Sequence, residues 1–226
     1  MRSELLLALA LLVSAAPGQV LARWSFDEAE GDVAKDSGPH ALDGKLSGEV
    51  QRVTGMQGGA LHFVEKPVGW VQLPKADALN LQPPFTIAAW IRPELPSATM
   101  AIFCQQNDTE PRGYRLRFFW RMLDFRCGDG RDKLAFTSPK YTLPTGYWTH
   151  VAVTHDGQTV RLYRNAELLS AAPGPARLEP EPQPAVLGSY FGRKDAYHFV
   201  GDLDEVVLLS QALDGEGLYR LASGRE

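Results

Sequence analysis

Trp148-Thr149-His150-Val151-Ala152-Val153-Thr154-His155-Asp156-Gly157-Gln158-Thr159-Val160-Arg161-Leu162-Tyr163-Arg164 reads as two short β-strands joined by a turn. Residues 149–154 and 160–164 are rich in β-branched and aromatic side chains, which suit a pleated, half-buried surface. Between them, Asp156-Gly157 tolerates the positive φ angles of a tight type I′ turn. Outward from this hairpin the pattern repeats at residues 71–73, 86–91, 100–104, 114–119, 123–127, 185–187 and 201–209. Clusters of Gly, Pro, Asn and Asp separate the runs. Residues 214–221 alone read as a helix. The Pro-rich stretch 173–184 runs straight into an Ala-Val-Leu-Gly strand, which predicts a loop crossing between sheets rather than a linker.

The chain has 226 residues, 44% hydrophobic and 22% charged, with 21 Gly and 16 Pro, the profile of a globular protein. Nearly the whole length in one β pattern predicts a single two-sheet sandwich of about a dozen strands. Its 23 basic and 27 acidic side chains give a formal charge of −4. That balance argues against a nucleic-acid partner bound through counterion release. At the N-terminus, Arg2 precedes an apolar run from Leu5 to Val13, too short to span a bilayer, and small residues follow. Residues 1–22 are therefore read as a signal peptide cut after Ala22, with residues 23–226 as the exported domain. The expected location is secreted or periplasmic, with no integral membrane segment.

Export would expose Cys104 and Cys127 to an oxidising compartment, where an even count favours a disulfide. Their placement opposes one. They lie near the same ends of the first and third strands of a meander, and next-but-one strands are about 9.5 Å apart unless the ends converge. Both outcomes stay open at this point, while a zinc site has no support in their spacing.

Five blocks in order carry a family resemblance. They are Trp24-Ser25-Phe26-Asp27-Glu28, Asp36-Ser37-Gly38-Pro39-His40 leading to Asp43-Gly44, Phe85-Thr86-Ile87-Ala88-Ala89-Trp90-Ile91-Arg92-Pro93, the Trp148 to Gly157 segment, and Gly201-Asp202-Leu203-Asp204-Glu205-Val206 with Gln211-Ala212-Leu213. Together they resemble the laminin-G-like jelly rolls of the concanavalin A-like lectin and glucanase superfamily. The resemblance implies an all-β, antiparallel jelly-roll sandwich with a short C-terminal helix. It also implies a structural calcium held by the side chains of Asp36 and Asp204, with loop carbonyls near His40 and Asp43. In this sequence Pro39-His40-Ala41 stands where the family often has Gly and Asn. One scaffold of this kind serves binding modules and enzymes alike, so function must come from the site.

Trp24, Phe26, Trp90 and Trp148 read as packing residues. Two other places suit a ligand. Tyr190-Phe191-Gly192-Arg193-Lys194-Asp195-Ala196-Tyr197-His198 mixes aromatic rings for stacking with polar groups for sugar hydroxyls, which makes Tyr190, Phe191, Arg193, Tyr197 and His198 the candidate ligand-binding residues. The second is a face bearing Arg115, Arg117 and Arg121 beside Asp124 and Arg126, opposite the apolar Tyr114, Leu116 and Phe118; forked guanidinium donors there suit an acidic polysaccharide. For catalysis, glycoside cleavage needs two carboxyl groups across the scissile bond. No Glu-x-Asp-x-x-Glu string occurs, and Arg193, Tyr197 and His198 form the one local trio suited to a lyase. The sequence therefore predicts a non-catalytic module binding a polysaccharide, a glycoconjugate or a protein partner, with a polysaccharide-cleaving enzyme as the alternative.

Overall fold

The computed structural model describes residues 19–106, 109–190 and 197–224. Its strands run β1 (Val20–Trp24), β2 (Val33–Ala34), β3 (Gly44–Ser47), β4 (Val50–Thr54), β5 (Gly59–Phe63) and β6 (Trp70–Gln72). The middle of the chain gives β7 (Phe85–Pro93), β8 (Thr99–Gln105), β9 (Tyr114–Phe119), β10 (Met122–Gly128) and β11 (Lys133–Thr137). Then follow β12 (Thr149–His155), β13 (Thr159–Arg164), β14 (Glu167–Pro173), β15 (Val186–Leu187) and β16 (Gly201–Leu209) before the helix α1 (Gly215–Ala222).

Among the described residues the strands form two eight-stranded antiparallel sheets. The first has the order β14-β13-β12-β7-β16-β5-β4, with β1 also on β16, and the second β11-β10-β9-β8-β15-β6-β3-β2. The expected jelly-roll sandwich with a short C-terminal helix is thus present. The Pro-rich segment leaves β14 in one sheet and reaches β15 in the other, as a crossing loop should. The Asp156-Gly157 turn differs from expectation. The Asp156 N–H donates to the Thr159 carbonyl, so the two central residues are Gly157-Gln158, and only Gly157, at φ 96, is in the positive region, so the turn is not type I′. The Asp156 carboxylate also accepts the N–H groups of Gln158 and Thr159, local bonds that brace the turn.

Alternation explains the core. Along β7, Phe85, Ile87, Ala89 and Ile91 face the second sheet, and on β9 Tyr114, Leu116 and Phe118 face back. Trp24 is fully buried among them and its indole N–H donates to the Leu42 carbonyl at 2.9 Å. Both Trp24 and Phe26 are core residues, as read from the sequence. Val20 and Ala22 of β1 pair with Leu209 and Leu208, and Ala22 is fully buried. A cut after Ala22 would therefore remove three of the five residues of β1.

The outer face of the first sheet is closed by α1. The Asp214 side chain caps it by accepting the Gly217 N–H, and Leu218 packs on Ala88, Ala152, Tyr163, Val207 and Leu209. Trp90 and His150 pair across β7 and β12 on this face, their rings edge to face at 5.4 Å. His150 is 2% exposed, and burial pushes its imidazole down to about 4 from an ordinary 6.5. A group with a lowered cationic pKa is neutral when folded and charges on unfolding. Its contribution to stability is complete above about pH 6.5 and is lost as pH falls through about 4. His150→Leu should lose less melting temperature than the wild type between these two pH values. Parallel slopes for the two proteins would show that the imidazole is not buried neutral.

Candidate functional site

The site begins with the alternation of β9. With its apolar residues inward, Arg115 and Arg117 stand on the outer face of the second sheet, opposite Arg126 and Asp124 of β10 in register. Arg117 places Nε and Nη2 each 2.7 Å from Asp124 Oδ1, and Arg126 approaches the same oxygen at 3.5 Å. On the other side, Ala101, Cys104 and Val186 make a small-residue floor on which Tyr190 lies. The Arg115 guanidinium sits 4.7 Å from the Tyr190 ring centroid, and Tyr197 meets that ring edge to face at 5.5 Å. The loop and the arginine strand, separate in the sequence, are thus one structure.

This geometry changes three expected roles. Tyr190 is 2% exposed, and Arg115 and Arg117 are 3% and 5% exposed. Tyr190 is therefore packing, and Arg115 and Arg117 are covered rather than open to an acidic polysaccharide, which leaves only Arg126 of that face, 37% exposed, in reach of solvent. Arg121 leaves that face altogether: it lies in the β9–β10 turn, donates from Nε to the Leu143 carbonyl and covers the Tyr141 ring. Phe191 and Arg193 lie outside the described residues.

Tyr197 and His198 reach solvent at the margin. Tyr197 is 36% exposed, and its carbonyl accepts the Ala101 N–H at 2.9 Å, which ties the loop's end to β8. Both line a cleft of about 340 Å³ with Glu65, Thr99 and Trp120. Both His198 ring nitrogens are buried and have no hydrogen-bond partner among the described residues. An exposed aromatic wall beside the Glu65 carboxylate can stack on the CH face of a sugar and bind its hydroxyls. Trp120, 54% exposed at the hairpin tip, is a site residue the sequence reading missed. The available signal was Phe119-Trp120-Arg121-Met122 itself, an aromatic residue where a tight turn normally has Asn or Gly.

The expected calcium ligands occupy separate turns. Asp36 Oδ1 accepts the N–H groups of Arg23 and Gly38, and Oδ2 accepts that of Leu42. Asp43 turns its own carboxylate on the Asp36 N–H. Asp204 Oδ2 accepts the Gln57 N–H while Oδ1 is buried without a partner, and burial pushes the carboxyl up to about 7. Among the described residues no three His, Cys, Asp or Glu side chains gather as a metal set. Amide hydrogens aimed at both Asp36 oxygens take the directions a cation would need, so this pair does not fit a shared calcium ion.

Cys104 and Cys127 are both buried and are not joined in a disulfide. They flank β9 opposite Arg115 and Tyr114, with Cys104 on the outer face and Cys127 in the core. Opposite faces of next-but-one strands rule out the disulfide. Burial pushes the Cys127 thiol up to about 12, which keeps it unreactive.

No curated protein matches the chain in sequence. The fold is shared with the binding domain of Paraclostridial Mosquitocidal Protein 1, at TM-score 0.70 and 16% identity over 91% of this chain and 52% of that one. It is shared with domain 4 of AbnA, a GH43 extracellular arabinanase from Geobacillus stearothermophilus solved with arabinotriose, at TM-score 0.68 and 20% identity over 91% and 98% of the two chains. A structure of botulinum neurotoxin type C gives TM-score 0.69 and 13% identity over 91% and 51%. The chain thus spans about half the length of the two toxin chains and nearly all of the arabinanase domain. A laminin-G-type family pattern matches residues 67–217, and with it the chain belongs to the concanavalin A-like lectin/glucanases superfamily.

Proposed function

We propose that this chain is an exported, non-catalytic module that binds glycans at the margin formed by Tyr197 and His198. The observation that carries the reading is the cleft of about 340 Å³, where the exposed rings of Tyr197 and Trp120 stand beside the Glu65 carboxylate. Two fold relatives support it. The arabinanase domain was solved with arabinotriose, and entry of the type C neurotoxin depends on two ganglioside molecules.

The carboxylates argue against cleavage. Asp202 and Asp204 project from the same side of β16 but are both fully buried. Asp202 is also engaged by the Arg92 Nε–H and by His62 Nδ1 at 2.8 Å. A pair sealed under protein cannot flank a scissile bond. Export rests on the apolar run from Leu5 to Val13. Because β1 begins at Val20, we place the leader's cut before Gln19 rather than after Ala22. Among the described residues no helix is long and apolar enough to cross a membrane.

A glycan array probed with the wild type, including arabinotriose and sialylated glycans, tests the function. Tyr197→Ala should weaken binding severalfold and leave the melting temperature within about 2 °C, because an exposed stacking ring holds ligand rather than core. Tyr190→Ala should lower the melting temperature by roughly 5 °C or more, as loss of a buried aromatic does. Reversed behaviour of the two tyrosines would move the site onto the sheet face. Chelator should leave the wild-type melting temperature unchanged, since Asp36 is already satisfied by amide donors. A drop on chelation that calcium restores would return the ion to the fold.

A further inference from the structure

The hairpin between β9 and β10 is unusual. Phe119 pairs with Met122, leaving a two-residue turn, Trp120-Arg121, with φ of 50 and 61. This is the backbone of a type I′ turn, which favours Asn, Asp and Gly because other residues are strained at positive φ. The neighbouring Asn165-Ala166 turn, at φ 49 and 67, at least begins with Asn. Burial does not compensate at Trp120, whose side chain is 54% exposed. The turn is nevertheless held on both flanks. The Trp120 N–H donates to Ala98, and the Arg121 carbonyl accepts the Leu143 N–H, each at 2.9 Å. Strain kept at an exposed aromatic residue by fixed neighbours points to a use for the residue.

The surroundings show what that use is. Trp120 is the wall shared by two clefts. One, of about 340 Å³, holds Tyr197, His198 and Glu65. The other, of about 290 Å³, holds Lys140 and Tyr141, the latter 70% exposed. Tyr141, Trp120 and Tyr197 thus line two clefts that meet at Trp120, and among the described residues Lys140, with Arg121 over the Tyr141 ring, stands against Glu65, so the charge is mixed rather than of a single sign. The mixed charge favours a neutral, hydroxyl-rich chain over a polyanion, and a bilayer would have to accept Glu65 and His198.

We infer that Trp120 is a sugar-stacking platform at the centre of a groove running from Tyr141 to Tyr197, and that the groove takes a neutral linear oligosaccharide of about three sugar rings. One ring stacks on the indole and its neighbours occupy the two clefts, each of the size of a small-molecule pocket. The turn presents the indole in one orientation before ligand arrives, which lowers the ordering cost of binding. The inference rests on the glycan-binding reading and extends it to a residue and a ligand class.

The test compares the wild type with Trp120→Gly and Trp120→Phe, using a disaccharide and a hexasaccharide from neutral arabinan and xylan series, with heparin as the polyanion. Glycine takes positive φ without strain, so Trp120→Gly should melt no lower than the wild type. It should bind the hexasaccharide at least tenfold more weakly and lose the preference for hexasaccharide over disaccharide, while Trp120→Phe keeps most of both. In the wild type, saturating hexasaccharide should protect the exposed indole from iodide quenching, a readout that needs no variant. A wild type that binds no glycan overturns the reading of function and this inference with it. A wild type whose affinity Trp120→Gly leaves unchanged overturns this inference alone. Trp120-dependent binding confined to heparin, or to phosphatidylserine vesicles, overturns the neutral ligand class.

Discussion

Everything in this fold hangs on how β16 changes partners halfway along its length. Residues Gly201 to Leu203 bond to β5, and Val206 to Leu209 bond to β1, while both halves bond to β7. The switch needs an irregularity, and the register breaks between Asp204 and Val207. Glu205 there adopts φ 48, held by the Arg23 guanidinium from β1 at 2.6 to 2.8 Å. A bulge of this kind adds a residue and bends the strand, which lets one strand serve two neighbours. It ties the first described strand to the last and leaves the middle of the chain to build the second sheet.

That arrangement decides which face stays available. The outer side of the first sheet is filled by α1 and by side chains that satisfy one another, Asp202 with Arg92 and His62 foremost. On the second sheet, the buried Arg117 and Asp124 pair while Tyr190 covers Arg115. Burying one charge without its partner is costly, so these groups are bound to structural duty. The exposed rings of Trp120 and Tyr197 remain at the edge where β8, the β9–β10 hairpin and the Tyr197 loop come together.

Much of the sandwich was legible. The strands at residues 114–119 and 201–209 match to the residue because their runs are long and flanked by turn formers. The edge strand Glu167–Pro173 was not, since Glu-Leu-Leu-Ser-Ala-Ala-Pro has little β preference and is half exposed. Gly59–Phe63 escaped because Ala60 and Leu61 are both buried, which hides the alternation. The candidate site was harder. Composition identified the Tyr190 to His198 loop, but the division between the buried Tyr190 and the exposed Tyr197 depends on Arg115, a residue 75 positions away in sequence for Tyr190. Trp120 left only its place between two strand runs as a signal, since Ala98 and Leu143 hold its turn and neither is a sequence neighbour.

The covered arginines still shape the proposed cleft. Arg115 stacks on Tyr190, Tyr190 meets Tyr197, and the Tyr197 backbone is bonded to β8. This chain of contacts runs from the rigid sheet to the exposed ring. It fixes Tyr197 from one side of the cleft as the clamped hairpin fixes Trp120 from the other. Two aromatic walls set independently by one sheet keep their separation when the cleft is empty, so little conformational freedom is left for a ligand to remove. The buried cation–π pair would therefore contribute to the proposed binding without touching the ligand, by holding the surface that the proposal assigns to it.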